Sequence, residues 1–327
     1  MYQNIFILKN INMFFGMKCP FCKSKNIIKK GKRKTKYKLK QIFYCKNCGK
    51  YFVGDEIHYK MYPAKVVINA INYYNLGYTL EETSKLVNRR FKVKTSESSV
   101  QRWLSEFSDV CFFRKIRKQV FKNFNKGEVV FTSCFKHQGL EYVFKYHRAK
   151  IERYAIGYPG LVEYIKRFEQ GCPENMFEGG ERCSQIKLDV DIGKFGSKTQ
   201  ACSLAELALH AVEDNRKRHD MVEEFMLIND TATVACEVPV WFWDKKMDIN
   251  ISGHIDLLQI RQGKIYVLDY KPKASMENEQ KVASQLYLYA RGLSFRTGIT
   301  LKVFRCAWFD KSDYYEFSPS MVRMKKV

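Results

Sequence analysis

The sequence predicts a multidomain α+β fold, in which a small metal-stapled module and a helical segment precede an α/β core with one mixed sheet flanked by helices. Three observations carry this reading: two C-x2-C pairs near the N-terminus, apolar residues at helical spacing across 63–107, and alternating strands bracketed by helices after residue 199. At 327 residues the chain is long enough for two or three domains. Composition shifts place the expected boundaries at 1–60, 61–126, 127–198 and 199–327.

The metal-stapled module comes first. Cys19-Pro20-Phe21-Cys22 and Cys45-Lys46-Asn47-Cys48 are separated by 22 residues. Each pair suits a tight knuckle, and two knuckles bring four thiolates around one Zn2+, the arrangement of a zinc ribbon. Such a closed site is structural, because it leaves no coordination position open for chemistry. The loop between the pairs carries Lys29, Lys30, Lys32, Arg33, Lys34 and Lys36. This cationic strip is where phosphates should land first.

Charge supports the same partner. The chain has a formal net charge of +23, and up to Lys126 there are 28 Lys and Arg against 7 Asp and Glu. The remainder is nearly neutral, with 29 against 27. A basic half joined to a neutral half suits a DNA binder with a separate second function.

The helical segment predicts three helices. The stretch AKVVINAINYYNLGY has helical spacing and stops near Gly77; Thr79 with Glu82 then forms a capping box for a second helix through about Arg90. A third helix, SSVQRWLSEF, is expected to start with Ser98 or Ser99 at its cap. Leu80, Leu86, Val87, Val100, Trp103 and Leu104 are placed to form the core of a helix-turn-helix, whose second helix would present Ser99, Gln101 and Arg102 to a groove. Ribbon and helix-turn-helix together resemble the DNA-binding regions of some prokaryotic transposases.

No apolar run is long enough to cross a bilayer. The segment MYQNIFILKNINMFFG is apolar but interrupted by Asn and Lys, a poor signal peptide that reads as an extra strand or a leader. Eleven cysteines in such a chain point to a reducing compartment, so the expected location is the prokaryotic cytoplasm, at the nucleoid. In 127–198, Cys134, His137 and His147 lack metal-ligand spacing and carry no assigned chemistry.

The C-terminal third holds the candidate chemistry. VACEVPVWFW, INISGHIDLLQI and KIYVLDYK read as successive strands, the last two joined at Arg261-Gln262-Gly263. Residues two apart on a strand share a face, so Asp269 and Lys271 project together, and a hairpin can bring Asp256 beside them from near the end of its strand. Two carboxylates and an ammonium make a hard-cation site with a charge partner for phosphate. Upstream, SLAELALHAVED is expected as a helix with His210, Glu213 and Asp214 on one face. Downstream, Gln285 and Tyr289 are four apart on another helix.

This run resembles the RecB-like branch of the PD-(D/E)XK nuclease superfamily: His210 on a helix, Gly253 and Asp256 in a G-x-x-D strand, Asp269 and Lys271 in a D-x-K strand, Gln285 and Tyr289 in a Q-x-x-x-Y helix. The resemblance implies a restriction-endonuclease-like core that hydrolyses DNA. It further implies that His210, Asp256 and Asp269 bind Mg2+ or Mn2+, that Lys271 positions or activates water, and that Gln285 and Tyr289 line the site. Glu237 is carried over as a further acid on the first strand. Some relatives hold an iron-sulfur cluster, but here Cys172 precedes the core and only Cys306 follows it, so no cluster is expected. Mobile-element recombination or DNA repair is the implied setting, and double-strand cutting would call for two sites, as in a homodimer. The alternative is a DNA-binding regulatory or architectural protein with an inactive nuclease-like domain; against it, none of the metal-site positions is substituted.

Overall fold

The computed structural model describes residues 18–34, 39–53, 62–173, 180–188, 190–191, 195–196, 199–212, 214–245 and 247–324. The chain divides into two units, Met1–Val67 and Ile68–Val327. In the first, β1 (Ile27–Lys34), β2 (Leu39–Cys45) and β3 (Tyr51–Val53) form an antiparallel sheet. Its apolar core is very small: Phe43 and Phe52 stack at 5.7 Å beside Cys19 and Cys45. So little buried surface cannot offset the entropy of ordering the chain, which is why such a module needs a metal staple. Lys29, Lys30, Lys32, Arg33 and Lys34 are exposed on β1; Lys36 and the segment 1–17 lie outside the described residues.

The division between units falls within α1 (Ala64–Asn75). After it, α2 (Leu80–Phe91) starts as its sequence requires: Thr79 Oγ1 accepts from the Glu82 N–H at 3.1 Å, and the Glu82 carboxylate accepts from the Thr79 N–H at 2.9 Å. Lys92, with φ 51°, ends the helix in the left-handed region. Asn88 then pins the connection, accepting from the Thr95 N–H at 2.7 Å and donating to the Thr95 carbonyl at 3.0 Å. The cap of α3 (Glu97–Glu106) is Ser96, not Ser98 or Ser99, because Ser96 Oγ accepts from the Ser99 N–H in the first turn. Val87, Val100, Trp103 and Leu104 are buried as expected, while Leu80 and Leu86 are half-buried.

A mixed sheet organises the rest. After α4 (Arg114–Val120) come β4 (Val130–His137), β5 (Leu140–His147), α5 (Arg148–Tyr154) and α6 (Pro159–Arg167); then β6 (Glu181–Arg182), β7 (Val190–Asp191), β8 (Phe195–Gly196), α7 (Gln200–Leu209) and α8 (Arg218–Asn229). The long strands follow: β9 (Thr233–Asp244), β10 (Ile249–Arg261) and β11 (Lys264–Tyr270), then α9 (Glu279–Thr297), β12 (Phe304–Phe309), β13 (Tyr314–Phe317) and β14 (Arg323–Met324). The strand order is β4-β5-β9-β10-β11-β12-β13-β8, with β6 beside β10. β11 and β12 run parallel, joined through α9, and the β9-β10-β11 steps are antiparallel. The sequence divides the chain at 198, yet β4, β5 and β6 belong to this same sheet: Lys145 pairs with Cys236 across β5 and β9. Pairing between such distant segments leaves no local signal.

Buried polar groups lock α8 in place. Asn229 accepts from Asn75 Nδ2 at 2.7 Å and donates to Asn72 Oδ1 at 2.6 Å, tying the end of α8 to α1. The fully buried Lys150 ammonium donates to the Leu227 carbonyl at 2.5 Å and the Thr233 carbonyl at 3.1 Å, bridging α8 and β9. Cationic donors suit the carbonyl end of a helix. Among the described residues no helix is long and apolar enough to cross a membrane.

Burial pulls the Lys150 ammonium down from 10.5 to about 7, partly offset by the charge of Asp230. Between those values the folded chain binds fewer protons than the unfolded one, so stability rises with pH across that window. Lys150→Met should flatten the rise by up to about 1.4 kcal/mol per pH unit. Urea melts of both proteins at pH 7 and pH 9 check this, and identical slopes would contradict it.

Candidate active site

Four elements converge at the middle of the sheet. Leu257 of β10 pairs with Leu268 of β11, so the next position along sets Asp256 opposite Asp269, at mid-strand in β10 rather than near its end. Val267 and Leu268 are fully buried, as are Leu257 and Leu258, so the hairpin has no freedom to turn the acids outward. Lys271 lies just past β11, its N–H bonded to the Phe309 carbonyl and its Nζ 2.8 Å from Asp269 Oδ2. Asp269 is fully buried, and its Oδ1 has no hydrogen-bond partner among the described residues. A buried carboxylate oxygen left without a donor is costly unless a cation faces it.

The electrostatics follow from that crowding. Burial and the facing Asp256 charge push the Asp269 carboxyl well above the usual range, against the pull of Lys271. Burial works against ionisation of Asp256 as well, but the neighbouring His219 and Asp269 and the Lys271 charge bring it below the ordinary value. Lys271 is raised: its burial opposes the charge, and both aspartates outweigh that. The two directions diverge for one reason: two carboxyls facing each other in a buried site oppose each other's ionisation.

The histidine that reaches this pair is His219. On α8, His219 and Glu223 are one turn apart, and their ligand atoms lie with that of Asp256 within 4.8 Å of one another. His219 Nδ1 is 3.9 Å from Asp256 Oδ2, and its ring sits edge-on to Tyr270 at 5.1 Å. Glu223 is buried and raised well above its ordinary value, first by burial and then by Glu237 and Asp256. His210 is not part of this group. α7 stops at Leu209 and the chain turns, so His210 follows the helix and Asp214 instead caps the short 3-10 turn Asn215–Lys217; Glu213 lies outside the described residues. His210 and Asp214 therefore do not share one helix, although apolar Ala211 and Val212 sustain the helical periodicity in the sequence past the helix end. His219-x3-Glu223 was an equally visible signal in the sequence.

The remaining expected residues divide. Gln285 Nε2 donates to the Tyr289 hydroxyl at 2.9 Å on α9. The Tyr289 ring lies so close over β10 that a Cβ at Gly253 would be 2.5 Å from it, which is the reason for glycine there. Burial, Cys183 and then Asp256 and Asp269 raise the Tyr289 phenol well above its ordinary value, which places the ring in reach of the acid pair's field. Glu237 stands at the register position opposite Asp256, interrupts the β9-β10 pairing with φ 51°, and forms an ion pair with His254 Nδ1. On α3, Gln101 and Arg102 are exposed, whereas Ser99 is half-buried against the Ser96 cap. In the ribbon, the Sγ atoms of Cys19, Cys22, Cys45 and Cys48 lie within 4.8 Å of one another, and Lys23 and Gly49 take left-handed φ just after each pair. That donor set fits zinc.

One comparison covers the stretch that carries these residues. Residues 181–304 match the family model of the PD-(D/E)XK nuclease superfamily. The PD-(D/E)XK segment contains His219, Glu223, Asp256, Asp269, Lys271, Gln285 and Tyr289, and members of the superfamily are typically metal-dependent nucleases. No curated protein and no solved structure matches the chain. The ribbon and β4 and β5 lie outside the matched segment.

For the ribbon, elemental analysis should find one zinc per chain. Chelation or Cys45→Ser should melt this unit, since modules of its size derive their stability from the metal. Folded, zinc-free protein would refute the assignment.

Proposed function

We propose that the chain is a metal-dependent deoxyribonuclease that hydrolyses phosphodiester bonds. The observation that carries this reading is the buried Asp269, facing Asp256 and touching Lys271, with one carboxylate oxygen unpartnered among the described residues. Asp256, Asp269 and His219, with Glu223 adjoining, would hold Mg2+ or Mn2+. When bound, the ion polarises the phosphodiester and lowers the pKa of a water. Lys271 neutralises the charge that grows on the phosphoryl oxygens, a stabilisation greatest in the transition state. Gln285 and Tyr289 wall the site and fix its orientation.

The DNA reading rests on charge. The exposed lysines and arginine of β1 make a phosphate-binding strip, and α2 with α3 is read as a helix-turn-helix offering Gln101 and Arg102 to a groove. Because the rest of the chain is nearly neutral, this basic half governs residence on DNA, and its loss would raise KM more than it lowers kcat. Cutting both strands would require a homodimer, and mobile-element recombination or repair is the setting the front end suggests.

The test is cleavage of closed circular and end-labelled linear DNA in Mg2+ or Mn2+. Asp269→Ala and Lys271→Ala should each slow cutting by about 100-fold or more; equal cutting by wild type and both variants would mean a contaminant and would sink the proposal. A second expectation separates the two histidines. His219→Ala should raise the Mn2+ concentration needed for half-maximal activity about 10- to 100-fold, and His210→Ala should leave it unchanged; the reverse pattern would restore His210 as the ligand.

A further inference from the structure

The nuclease reading assigns Lys271 a role but leaves open what holds it, since the strand ends at Tyr270 and Pro272 and Lys273 are exposed. The chain is caught again at Ala274, which is buried. Both polar groups there are taken by residues at and just beyond the end of β12. The Ala274 N–H donates to Asp310 Oδ2 at 2.9 Å, and the Ala274 carbonyl accepts from Trp308 Nε1 at 3.2 Å. Trp308 is 1% exposed and Asp310 7%. Asp310 is itself fixed: its Oδ1 accepts from the N–H groups of Ser312 at 2.6 Å and Asp313 at 2.8 Å, and its own N–H donates to the Asp313 carbonyl at 2.9 Å. At the other end of the bend, the Lys271 N–H is bonded to the Phe309 carbonyl. Four residues that would otherwise form a free loop are thus bound at both ends to one short piece of chain, 308–310. All three of these residues lie past the last residue of the family match.

We propose that Asp310, supported by Trp308, is a positioning residue for Lys271: it sets the path of the 271–274 bend and so the place of the Lys271 ammonium beside Asp269. A lysine side chain has enough rotamers to wander, and a small displacement of a charge-stabilising group lowers rate steeply. The inference rests on the nuclease reading; Trp308 pairs with Asp269 across β11 and β12, whereas Asp310 lies beyond the end of β12, so Asp310→Asn is the variant that reads the bend.

The experiment compares single-turnover DNA cleavage in Mn2+ by wild type, Asp310→Asn, Trp308→Phe, Lys271→Ala and the Asp310→Asn/Lys271→Ala double variant. Calorimetric Mn2+ affinity and melting temperature are measured for each. Asparagine keeps an oxygen for the Ser312 and Asp313 N–H groups but turns an NH2 toward the Ala274 N–H, so the turn survives while the clamp opens. Expected are a 10- to 100-fold slower cleavage step for Asp310→Asn, a smaller loss for Trp308→Phe, Mn2+ affinity and KM for DNA within twofold of wild type, and a double variant no slower than Lys271→Ala. An unchanged rate in Asp310→Asn, a loss that multiplies with that of Lys271→Ala, or weakened Mn2+ binding would overturn the inference while leaving the nuclease reading in place. Wild type that cuts nothing would overturn both.

Discussion

Asp256 and Asp269 face each other across a hairpin whose apolar neighbours are fully buried, with the Lys271 ammonium in contact with Asp269. Like charges in such surroundings repel strongly, and an isolated chain would relieve the strain by rotating one acid into water. The sheet forbids it: Leu257 and Leu268 pair beside them, and Val267 and Leu268 pack in the core. The hairpin thereby fixes the place of both carboxyls as soon as the chain folds.

Much of the surrounding architecture follows from that constraint. α8 must bring His219 and Glu223 up to Asp256, and its far end is bound by Lys150, Asn72 and Asn75. α9 must lay Tyr289 over β10, which only a glycine at 253 permits. β12 does two things: it pairs in parallel with β11, and it leads into the residues that catch the bend after Lys271. Asn72, Asn75 and Lys150 all precede residue 181, so the segment that matches the family model is held in part by residues outside it.

Legibility tracked the range of each interaction. The capping box of Thr79 and Glu82, each C-x2-C pair and the D-x-K spacing of Asp269 and Lys271 involve residues two or three positions apart, and each is visible in the sequence. The hairpin that joins Asp256 to Asp269 needed only a short turn and two alternating strands. His210 lies just past the end of α7, where Ala211 and Val212 continue the apolar rhythm of the sequence, while His219 and Glu223 sit one turn apart on α8 beside Asp256. Ser99 likewise has the composition of a contact residue and is engaged by the Ser96 cap. The left-handed Glu237, in the middle of a strand of β-type residues, had no sequence signature.

By itself the sequence determined the type of the elements with strong periodicity or caps and the chemistry available: thiolates at knuckle spacing, a cationic strip, two acids on adjacent strands and an amine just past the second. Only the tertiary structure decided which histidine stands beside Asp256, that β4 and β5 extend the sheet that carries the two acids, and that Asp310 catches the chain beyond Lys271. The physical reason is that dihedral preferences and side-chain periodicity act over a few residues. Which distant segments meet is settled by the burial and hydrogen-bond satisfaction of the whole chain, and no local window contains that information.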